Sequence, residues 1–496
     1  MAKGYKELIG DYFAEHSIVE SNIKSFNNFM DKRMQEIIDE ANEIIPTIIP
    51  SEVQDFKIKL GKLKVEKPQL VEADGSKRDV YPMEARLRKL TYSAPVNLSV
   101  STYIDGVERE TFTVTIGKIP VMLKSKYCHL HKLDKDKLTE VHEDSNDPGG
   151  YFILNGNERV LIVVEDLASN KLFIDKAKTG PSKYTARLYS ERGSYRIPHL
   201  IEQMKDGVIY FSFTRFKRIP AVAIIKALGL IKDQEISEAI SKTKVYDDIF
   251  INLYECIDLK TQDDALEFIA KKIGITQSRE EKIERATEMI DKYLFPHLGV
   301  TKEDRLKKAY TLCKYVKRFL TVSKEGLTLS DKDHYMDKRL KLSGDLLADL
   351  FRVNLRTLIQ DMLYNFQRLV KRGKFQSVRI IIRDQLLTSR IKSAMATGVW
   401  VGGRKGISQN IDRTNFSATI SHLQRVVSLL STTQENFDAR ALHSTHWGRL
   451  GPIETPEGTP IGLRKNLAML ASISQEDVPE DKLRKVLESC GLKQDG

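Results

Sequence analysis

The chain has 496 residues and a formal net charge of +11, with 30% charged and 41% apolar residues. This length exceeds one compact core and predicts roughly two to four domains, and the basic charge favours an anionic partner. The longest apolar run, 219–231, is interrupted by Pro220 and Lys226 and is shorter than the ~20 residues that cross a bilayer. The N-terminal residues lack the apolar region of a signal peptide, so we expect a cytoplasmic protein with no membrane partner.

Periodicity predicts a helix and then strands in the N-terminal part of the chain. Apolar residues recur at steps of three and four over 21–45, which is typical of an amphipathic helix. From 56 to about 164 the period changes to two and predicts strands. Within this part, 151–164 is predicted to form a hairpin with Asn155-Gly156 as its turn.

The middle of the chain, 173–329, has the pattern of a separate module. Short strands are predicted at 184–190 and 208–214, followed by helices, of which 280–294 and 303–321 are the clearest. Acidic and basic residues intermix here, which suits a solvated exterior. Together with the N-terminal helix and the strands that follow it, this predicts an α+β protein.

A long helix is predicted over 337–371, with Gly344 as a possible interruption and Gly373 as its end. Ten basic residues and one acid, Asp384, lie between 368 and 405, a balance of +9 in 38 residues. A solvated helix face usually mixes the two signs, so this imbalance favours a surface that contacts phosphates.

Metal and catalytic patterns are weak. The four cysteines, at 128, 256, 313 and 490, are too scattered for a zinc site and are predicted to be buried free thiols. The segment 128–131 (Cys-His-Leu-His) offers three ligands but lacks a second pair at zinc-ribbon spacing. Carboxylates spaced to hold divalent metal and a phosphate-binding glycine loop are also missing, so we do not expect the chain to catalyse alone.

The segment 441–470 is the most constrained in the chain. Prolines at 452, 456 and 460 and glycines at 448, 451, 458 and 462 exclude a helix or central strand. Thr455 to Gly458 has the pattern of a type I turn. The predicted result is a stiff, polar loop, either an ordinary surface crossing or a holder of functional side chains, namely His443, His446, Trp447, Arg449, Glu454 and Glu457.

Four segments carry a family resemblance: HSTHWGRLGPIETPEGTPIGL (443–463), GISQNIDRTNFSATISHLQRV (406–426), GGYFILNGNERVLIVVE (149–165) and ARLRKLTYSAPV (85–96). They resemble the second-largest subunit of multisubunit DNA-directed RNA polymerase, in its archaeal and eukaryotic branch. The resemblance extends from about Tyr12 to Ile473. Because the family's chain continues well beyond this point, we expect the N-terminal half of a second-largest subunit that is encoded in two pieces, as in some archaea.

The resemblance implies a multidomain α+β architecture with mixed antiparallel strands and helices. A protrusion domain would comprise 1–172 and 330–395, and a lobe, 173–329, would be inserted into it. A fork domain would follow over 396–496.

The resemblance also implies the site residues. Glu454 would lie near the incoming nucleoside triphosphate, although a turn carboxylate bonded to nearby backbone N–H groups is an equal alternative. If 416–430 is helical, two of the residues expected to face nucleic acid, His422 and Arg425, share one face. Trp447 could stack on a base, but a packing anchor is the favoured interpretation. The residues expected to contact nucleic acid are Arg404, Lys405, Gln409, Asn415, His422, Arg425, Arg449 and Lys465. For Arg449 and Lys465, a contact with another subunit is an equal alternative.

The implied role is to line the path of the RNA–DNA hybrid and downstream DNA within a nucleotidyltransferase complex. This chain would bind no cofactor, because the Mg²⁺ of the complex is held mainly by another subunit. Expected partners are the C-terminal half of the same subunit, the largest and the smaller assembly subunits, DNA template, nucleoside triphosphates and general transcription factors. The loop 431–440 has no glycine or proline, unlike many relatives, so its role stays open.

Two other classes of function remain alternatives. A free-standing basic factor would bind duplex DNA with an affinity that falls steeply with salt. A metal hydrolase would use His443, His446 and a remote carboxylate.

Overall fold

The computed structural model describes residues 2–41, 43–50, 53–72, 74–177, 182–193, 195–242, 246–276, 278–373, 377–433, 435–474 and 480–492. The chain forms two compact units. Unit 1 comprises Met1–Asp166 and Leu340–Gly496, and unit 2, Leu167–Arg339, is inserted into it. Unit 2 begins before and ends after the bounds predicted for the middle module, and residues 396–496 belong to the same unit as the N-terminal part.

The helices of the described residues follow in chain order: α1 (Ala2–Glu15), α2 (Glu20–Asn28), α3 (Met34–Asp39), α4 (Pro82–Leu87), α5 (Lys135–Glu140), α6 (Ala221–Ala227), α7 (Asp233–Ile240), α8 (Asp247–Glu255), α9 (Gln262–Ile273), α10 (Arg279–Tyr293), α11 (Arg305–Glu325), α12 (Ser343–Lys371), α13 (Asp384–Thr397), α14 (Phe416–Leu423), α15 (Phe437–Arg440) and α16 (Glu480–Ser489). None of these helices combines the length and the apolar character that a membrane crossing requires.

The strands follow in the same way: β1 (Glu43–Ile44), β2 (Phe56–Val65), β3 (Gln69–Val71), β4 (Lys77–Asp79), β5 (Ser93–Ile104), β6 (Val107–Pro120), β7 (Phe152–Leu154), β8 (Asn157–Leu161), β9 (Val163–Leu167), β10 (Leu172–Lys176), β11 (Tyr184–Arg192), β12 (Tyr195–Gln203), β13 (Ile209–Phe213), β14 (Phe216–Pro220), β15 (Lys338–Lys341), β16 (Ser408–Asn410), β17 (Arg425–Ser428) and β18 (Arg464–Asn466). Helices and mostly antiparallel strands in several sheets confirm the predicted α+β class.

The helix predicted over 21–45 is present but shorter. α2 continues through a π-helical turn, Phe29–Arg33, into α3, which ends at Asp39. Ile44 lies instead in β1, at the edge of the antiparallel sheet β1-β2-β5-β6. The periodicity could not show this end, because the buried side of the short strand continues the apolar pattern of the helix.

The core of unit 1 joins the two separate parts of its sequence. The ring of Phe26 in α2 lies 5.6 Å from that of Phe152 in β7, and Phe29 lies 6.3 Å from Phe351 in α12. All four rings are buried. A sheet, a hairpin and helices from both parts therefore share one apolar core.

The long helix α12 begins at Ser343, later than predicted. Gly344 lies in the first turn of α12, and the helix continues through it. A Cβ at this position would lie only 2.1 Å from the carbonyl oxygen of Ser25. The glycine is needed for the close approach of α12 to α2. Gly373, with φ +62°, follows the end of α12 and confirms the predicted stop.

The predicted hairpin is confirmed as β7 and β8. Leu154 pairs with Asn157 across a two-residue turn, and the φ values of Asn155 and Gly156 are +49° and +80°. Asn and Gly adopt positive φ more easily than other residues, which is why this pair marks hairpin turns. The hairpin supports the site described below, because β8 also pairs with β16.

Unit 2 contains a five-stranded antiparallel meander, in the order β10-β11-β12-β13-β14. The predicted strands 184–190 and 208–214 correspond to β11 and β13, and the predicted helices 280–294 and 303–321 to α10 and α11. β10, β12 and β14 were not predicted. Unit 2 has its own hydrophobic core, which includes the stacked rings of Phe213 and Phe216, 4.2 Å apart.

Candidate functional site

Three short strands of unit 1, β16, β17 and β18, carry three of the residues expected to be functional, namely Gln409, Arg425 and Lys465. β16 pairs with β8, which places Gln409 opposite Val160. β17 pairs with β9 in parallel and with β18 in antiparallel register, which places Arg425 opposite Asn466. The helix α14 joins β16 to β17, so the segments 406–426 and 443–466 are brought together.

A chain of polar contacts links β16 to α14. The imidazole of His422 accepts a hydrogen bond at Nδ1 from the backbone N–H of Asp412 (3.0 Å), and its Nε2 lies 3.2 Å from Oε1 of Gln409. Gln409 in turn donates from Nε2 to the carbonyl oxygen of Gly406 (3.0 Å). Since Nδ1 accepts a hydrogen bond, the proton of the neutral ring belongs on Nε2. Nε2 then donates to Oε1 of Gln409.

The burial of His422 keeps its ring neutral. Burial first, and then the charge of Arg425, lower the pKa of His422 from 6.5 to about 4. The side chain is only 4% exposed. At neutral pH His422 therefore acts as a neutral support that orients Gln409, and Gln409 is the more exposed member of the pair.

Arg425 does not share a helix with His422, so that prediction was wrong. α14 ends at Leu423, and Arg425 begins β17. The chain leaves the helix because β17 fills the place between β9 and β18, where Val426 pairs with both Val163 and Lys465 and is buried. Tertiary pairing here overrides the helical periodicity of the segment.

Two arginines, Arg425 of β17 and Arg464 of β18, form the positive centre of the site. Burial and then the charge of Arg464 lower the pKa of Arg425, and Asp412 and Glu454 partly oppose this effect. Within the described residues, neither guanidinium has a carboxylate within the 4.0 Å limit of an ion pair. An anion placed between them would relieve the repulsion.

Glu454 is held by a residue distant in sequence. Its Oε1 accepts a hydrogen bond from the hydroxyl of Ser421 in α14 (2.7 Å). The side-chain amide of Asn466 in β18 donates to both the hydroxyl and the carbonyl oxygen of Ser421 (2.8 Å each). The alternative of a turn carboxylate bonded to nearby backbone groups is therefore not what the structure shows. Glu454 remains exposed at the end of this relay.

The loop that carries Glu454 is fixed on both sides. The Thr455 hydroxyl donates to the carbonyl oxygen of Arg464 and accepts from the N–H of Gly462, both at 2.9 Å. Arg440 donates to the carbonyl oxygen of Thr459 (2.6 Å). Gly462 has φ +71°, and a Cβ there would lie 2.2 Å from the carbonyl oxygen of Arg440, so the loop packs tightly against Arg440.

The turn predicted over Thr455–Gly458 lies later in the chain. The hydrogen-bonded turns of this loop join Gly458 to Ile461 and Pro460 to Leu463. The loop 431–440 contributes Arg440 as an anchor for this segment, and its residue Gln434 lies outside the described residues.

Arg413 fastens the segment after β16 to the N-terminal part of unit 1. It forms ion pairs with Glu158 (2.7 Å) and Asp147 (3.0 Å), and its guanidinium stacks 4.9 Å from the ring centre of Tyr151. Glu158 also pairs with Arg86 (2.8 Å). This network positions the loop between β16 and α14.

Two of the cations predicted to contact nucleic acid are engaged within the chain. Lys465 is buried and forms an ion pair with Glu165 (3.0 Å), which does not support a phosphate contact. Arg404 pairs with Asp166 (3.3 Å). Because it is buried and paired, Lys465 is not part of the candidate surface. Asn415 caps α14 through Oδ1, which accepts from the N–H of Ala418 (2.7 Å).

The other predicted cations are presented to the outside. Arg449 is exposed and donates to the carbonyl oxygen of Thr445 (3.2 Å), and Lys405 is exposed in the loop before Ile407. In the basic stretch 368–405, Arg383 lies near Asp361 (3.7 Å), and Lys374 lies outside the described residues.

Trp447 is not a packing anchor within this chain, contrary to the favoured interpretation. Its side chain is 64% exposed, and Ile453 in the same loop is 89% exposed. The only other tryptophan, Trp400, is buried and donates to the carbonyl oxygen of Leu346 (2.8 Å). The two tryptophans thus lie in opposite environments, one buried and one exposed.

The described residues form no cluster of three or more His, Cys, Asp or Glu side chains that could hold a metal ion. His443 and His446 instead bond their own turn, since the Nδ1 of His446 accepts from the N–H of His443 (3.4 Å). The Nε2 of His129 lies within hydrogen-bond distance, 3.0 Å, of the carbonyl oxygen of Pro68. Cys128, Cys256 and Cys313 are buried as predicted, whereas Cys490 is exposed.

Sequence reasoning missed three residues that organise the site: Ser421, Arg464 and Asn466. Ser421 and Asn466 hold Glu454, and Arg464 forms the positive centre with Arg425. Arg464 and Asn466 are two apart and so share a face of β18. The strand itself has only three residues and follows a proline- and glycine-rich loop, so its period could not be seen in the sequence.

Comparison with known proteins identifies the family of the chain. Residues 17–389 match the family described as RNA polymerase beta subunit, and residues 409–473 match RNA polymerase Rpb2, domain 3. The second match contains all three strands of the site except the first residue of β16. The chain belongs to the RNA polymerase beta subunit family.

Three archaeal relatives show how much of the chain is shared. The chain is 42% identical to DNA-directed RNA polymerase subunit Rpo2N of Methanocaldococcus jannaschii, over 98% of this chain and 99% of that protein. It is 39% identical to Rpo2N of Halobacterium salinarum, over 98% of this chain and 96% of that protein. It is 43% identical to subunit Rpo2 of Saccharolobus solfataricus over 94% of this chain, but spans only 41% of that longer protein.

Proposed function

We propose that this chain is the N-terminal part of the second-largest subunit of an archaeal DNA-directed RNA polymerase and works in the cytoplasm. It contributes to a nucleotidyltransferase and has no polymerase activity alone. Unit 2 corresponds to the lobe, and unit 1 combines the protrusion with the fork from about residue 396. The names and archaeal sources of the relatives support this proposal.

The observation that carries the proposal is the positive centre of Arg425 and Arg464. Arg425 and Arg464 lie on the paired strands β17 and β18, and neither forms an ion pair among the described residues, which suits a phosphate of the RNA–DNA hybrid. Gln409 is presented beside them by His422. Arg449 and Lys405 extend the surface. A polymerase must accept every sequence, so these contacts read backbone and shape rather than base identity.

Glu454 serves a different purpose in the proposal, since it is an anion on a largely basic surface. Ser421 and Asn466 hold its carboxylate at the edge of the site. There it positions the incoming nucleoside triphosphate, or an element of another subunit that contacts it, through a hydrogen bond or a nearby cation. Holding the carboxylate beforehand lowers the entropy that this contact would otherwise lose.

The catalytic Mg²⁺ is assigned to another subunit, mainly the largest, and no step is routed through a metal on this chain. The described residues offer no cluster of carboxylates of the kind that two-metal phosphoryl transfer requires. The chain therefore works with the C-terminal part of its own subunit and with the largest and smaller assembly subunits. Its other partners are DNA template, nucleoside triphosphates and general transcription factors.

The test is Glu454→Ala in the assembled polymerase, with Glu457→Ala, from the same loop, as the matched control. We expect Glu454→Ala to lower the nucleotide addition rate on the order of tenfold, as is typical of residues that orient a reacting group. Affinity for an RNA–DNA scaffold should stay unchanged, and Glu457→Ala should affect neither. An equal loss of rate and affinity would mean that Glu454 only maintains the loop.

A further inference from the structure

The helix α11 of unit 2 borders a cleft that the proposed function does not use. The cleft holds about 350 Å³ and lies between α11 and the segment 326–330 that follows it. Lys314, Lys317 and Arg318 line it from the helix, and Leu327 and Thr328 line it from the segment. Cleft and lining belong entirely to unit 2.

The charge in this cleft is not compensated by the described residues. Lys314, Lys317 and Arg318 are exposed and form no ion pair within that part of the chain. Lys307 and Lys324, elsewhere on α11, pair with Asp304 (3.4 Å) and Asp248 (2.9 Å). Like charges three and four residues apart repel each other on a helix, so an anion in the cleft would remove a local penalty.

The segment 326–330 forms the other side of the cleft and is anchored. It contributes Leu327, which is 53% exposed, and the hydroxyl side chains of Thr328 and Ser330, while Val322 of α11 adds a second apolar residue to the lining. The segment is fastened to strand β10, because Ser330 donates its N–H to the carbonyl oxygen of Ile174 (3.2 Å) and its hydroxyl accepts from the N–H of Ile174 (3.1 Å). The cleft therefore exists before any ligand arrives.

Three cations on the helix side and the exposed Leu327 on the segment side together select between two kinds of anion. A nucleic-acid backbone offers phosphates but little apolar surface to Leu327. A peptide with aspartate or glutamate around one leucine or phenylalanine satisfies both walls, since the carboxylates meet the cations and the apolar side chain covers Leu327. Charge and apolar contact together favour the peptide.

We propose that the cleft between α11 and residues 326–330 binds an acidic peptide segment of a partner protein. Its carboxylates contact Lys314, Lys317 and Arg318, and one apolar side chain packs against Leu327. The hydroxyl of Thr328 is available as a hydrogen-bond donor to the peptide.

The experiment measures fluorescence anisotropy of a short labelled peptide of aspartate, glutamate and leucine with the full 496-residue chain. A second probe replaces leucine with serine, and a third is duplex DNA. The variants are K314E/K317E/R318E and Leu327→Ser. The control, K205E/K217E/K260E, reverses as much charge at exposed positions of unit 2 outside the cleft.

We expect the acidic leucine peptide to bind, and K314E/K317E/R318E to weaken it by about tenfold or more, since attraction becomes repulsion. The control should bind as the parent chain does. Leu327→Ser should weaken the leucine peptide severalfold and leave the serine peptide unchanged, which a misfolded variant would not do. Equal binding by the reversed and control variants, or loss of duplex DNA rather than peptide in the reversed variant, would overturn the proposal.

Discussion

The two halves of the candidate site satisfy their polar side chains in different ways. In the part built from β16, α14 and β17, the imidazole of His422 bonds Gln409 and the backbone of Asp412, and it is buried. In the loop 441–463, Trp447 and Ile453 are mostly exposed, and Glu454 is held by the hydroxyl of Ser421. The polar side chains of the first part bond to other groups of the chain, whereas Trp447 and Ile453 in the second part face outward.

This difference separates residues that support the site from residues that can meet another molecule. Lys465 and Arg425 lie on neighbouring strands and were predicted to have the same role. Lys465 is neutralised by Glu165 inside the protein, whereas Arg425 forms no ion pair among the described residues and lies near another cation, Arg464, whose effect Asp412 and Glu454 only partly oppose. A positive charge is available to a phosphate only where the chain has not already paired it.

The largest expected effect comes from breaking the buried pair with Lys465→Ala. This change removes the ammonium group that pairs with the buried carboxylate of Glu165, so the free energy of unfolding should fall by about 3–5 kcal/mol. Urea unfolding of the full chain, followed by circular dichroism, measures the loss. The control is Lys405→Ala at an exposed position, which should change stability by less than about 0.5 kcal/mol. Equal losses in both variants would show that Lys465 is not an internal support.

A smaller effect is expected from the pH dependence of His422. Its folded pKa, about 4, lies below the ordinary 6.5, so its contribution to stability is complete above pH 6.5 and is lost as pH falls toward 4. This shift corresponds to at most about 3 kcal/mol. The stability advantage of the parent chain over His422→Gln should therefore shrink over that range.

Other buried histidines titrate equally in both proteins and cancel in this difference. A proton NMR titration that placed the pKa of His422 near its ordinary value would contradict the buried, neutral support.

The smallest effect on stability is expected for Ser421→Ala, which connects the two halves. Its hydroxyl bonds Glu454 and Asn466, so stability should fall by about 1–2 kcal/mol. Nucleotide addition by the assembled polymerase should fall as it does for Glu454→Ala, and Ser421→Thr should keep most of the rate. Ser417→Ala, at an exposed position of the same helix, is the control. A normal rate in Ser421→Ala would mean that Glu454 needs no such support.

The sequence allowed the fold class and the hairpin at Asn155-Gly156 to be predicted, because period and turn chemistry are local properties. It also predicted the main helices of unit 2 within a few residues. It did not predict that the helix at Phe416 ends at Leu423. That end depends on pairing of β17 with strands from distant parts of the chain, which leaves no local pattern.

The candidate site was predictable as a set of segments but not as a set of contacts. Glu454 was singled out by the family resemblance of its loop, whereas its partner Ser421 is an ordinary helix residue in the sequence. The ion pair of Lys465 and the exposure of Trp447 likewise left no local pattern in the sequence. Whether a cation is paired, or an aromatic ring covered, depends on residues that are far away in sequence, such as Glu165 for Lys465.

The most direct test of the account is the lifetime of elongation complexes formed by Arg425→Ala polymerase on RNA–DNA scaffolds of two unrelated sequences. Loss of one phosphate contact should shorten the lifetime to the same degree on both and reduce the salt slope of binding by about one. Lys405→Asn serves as a second cation variant at the edge of the surface and should have a weaker effect. An unchanged lifetime and salt slope for Arg425→Ala would contradict a surface that faces the hybrid.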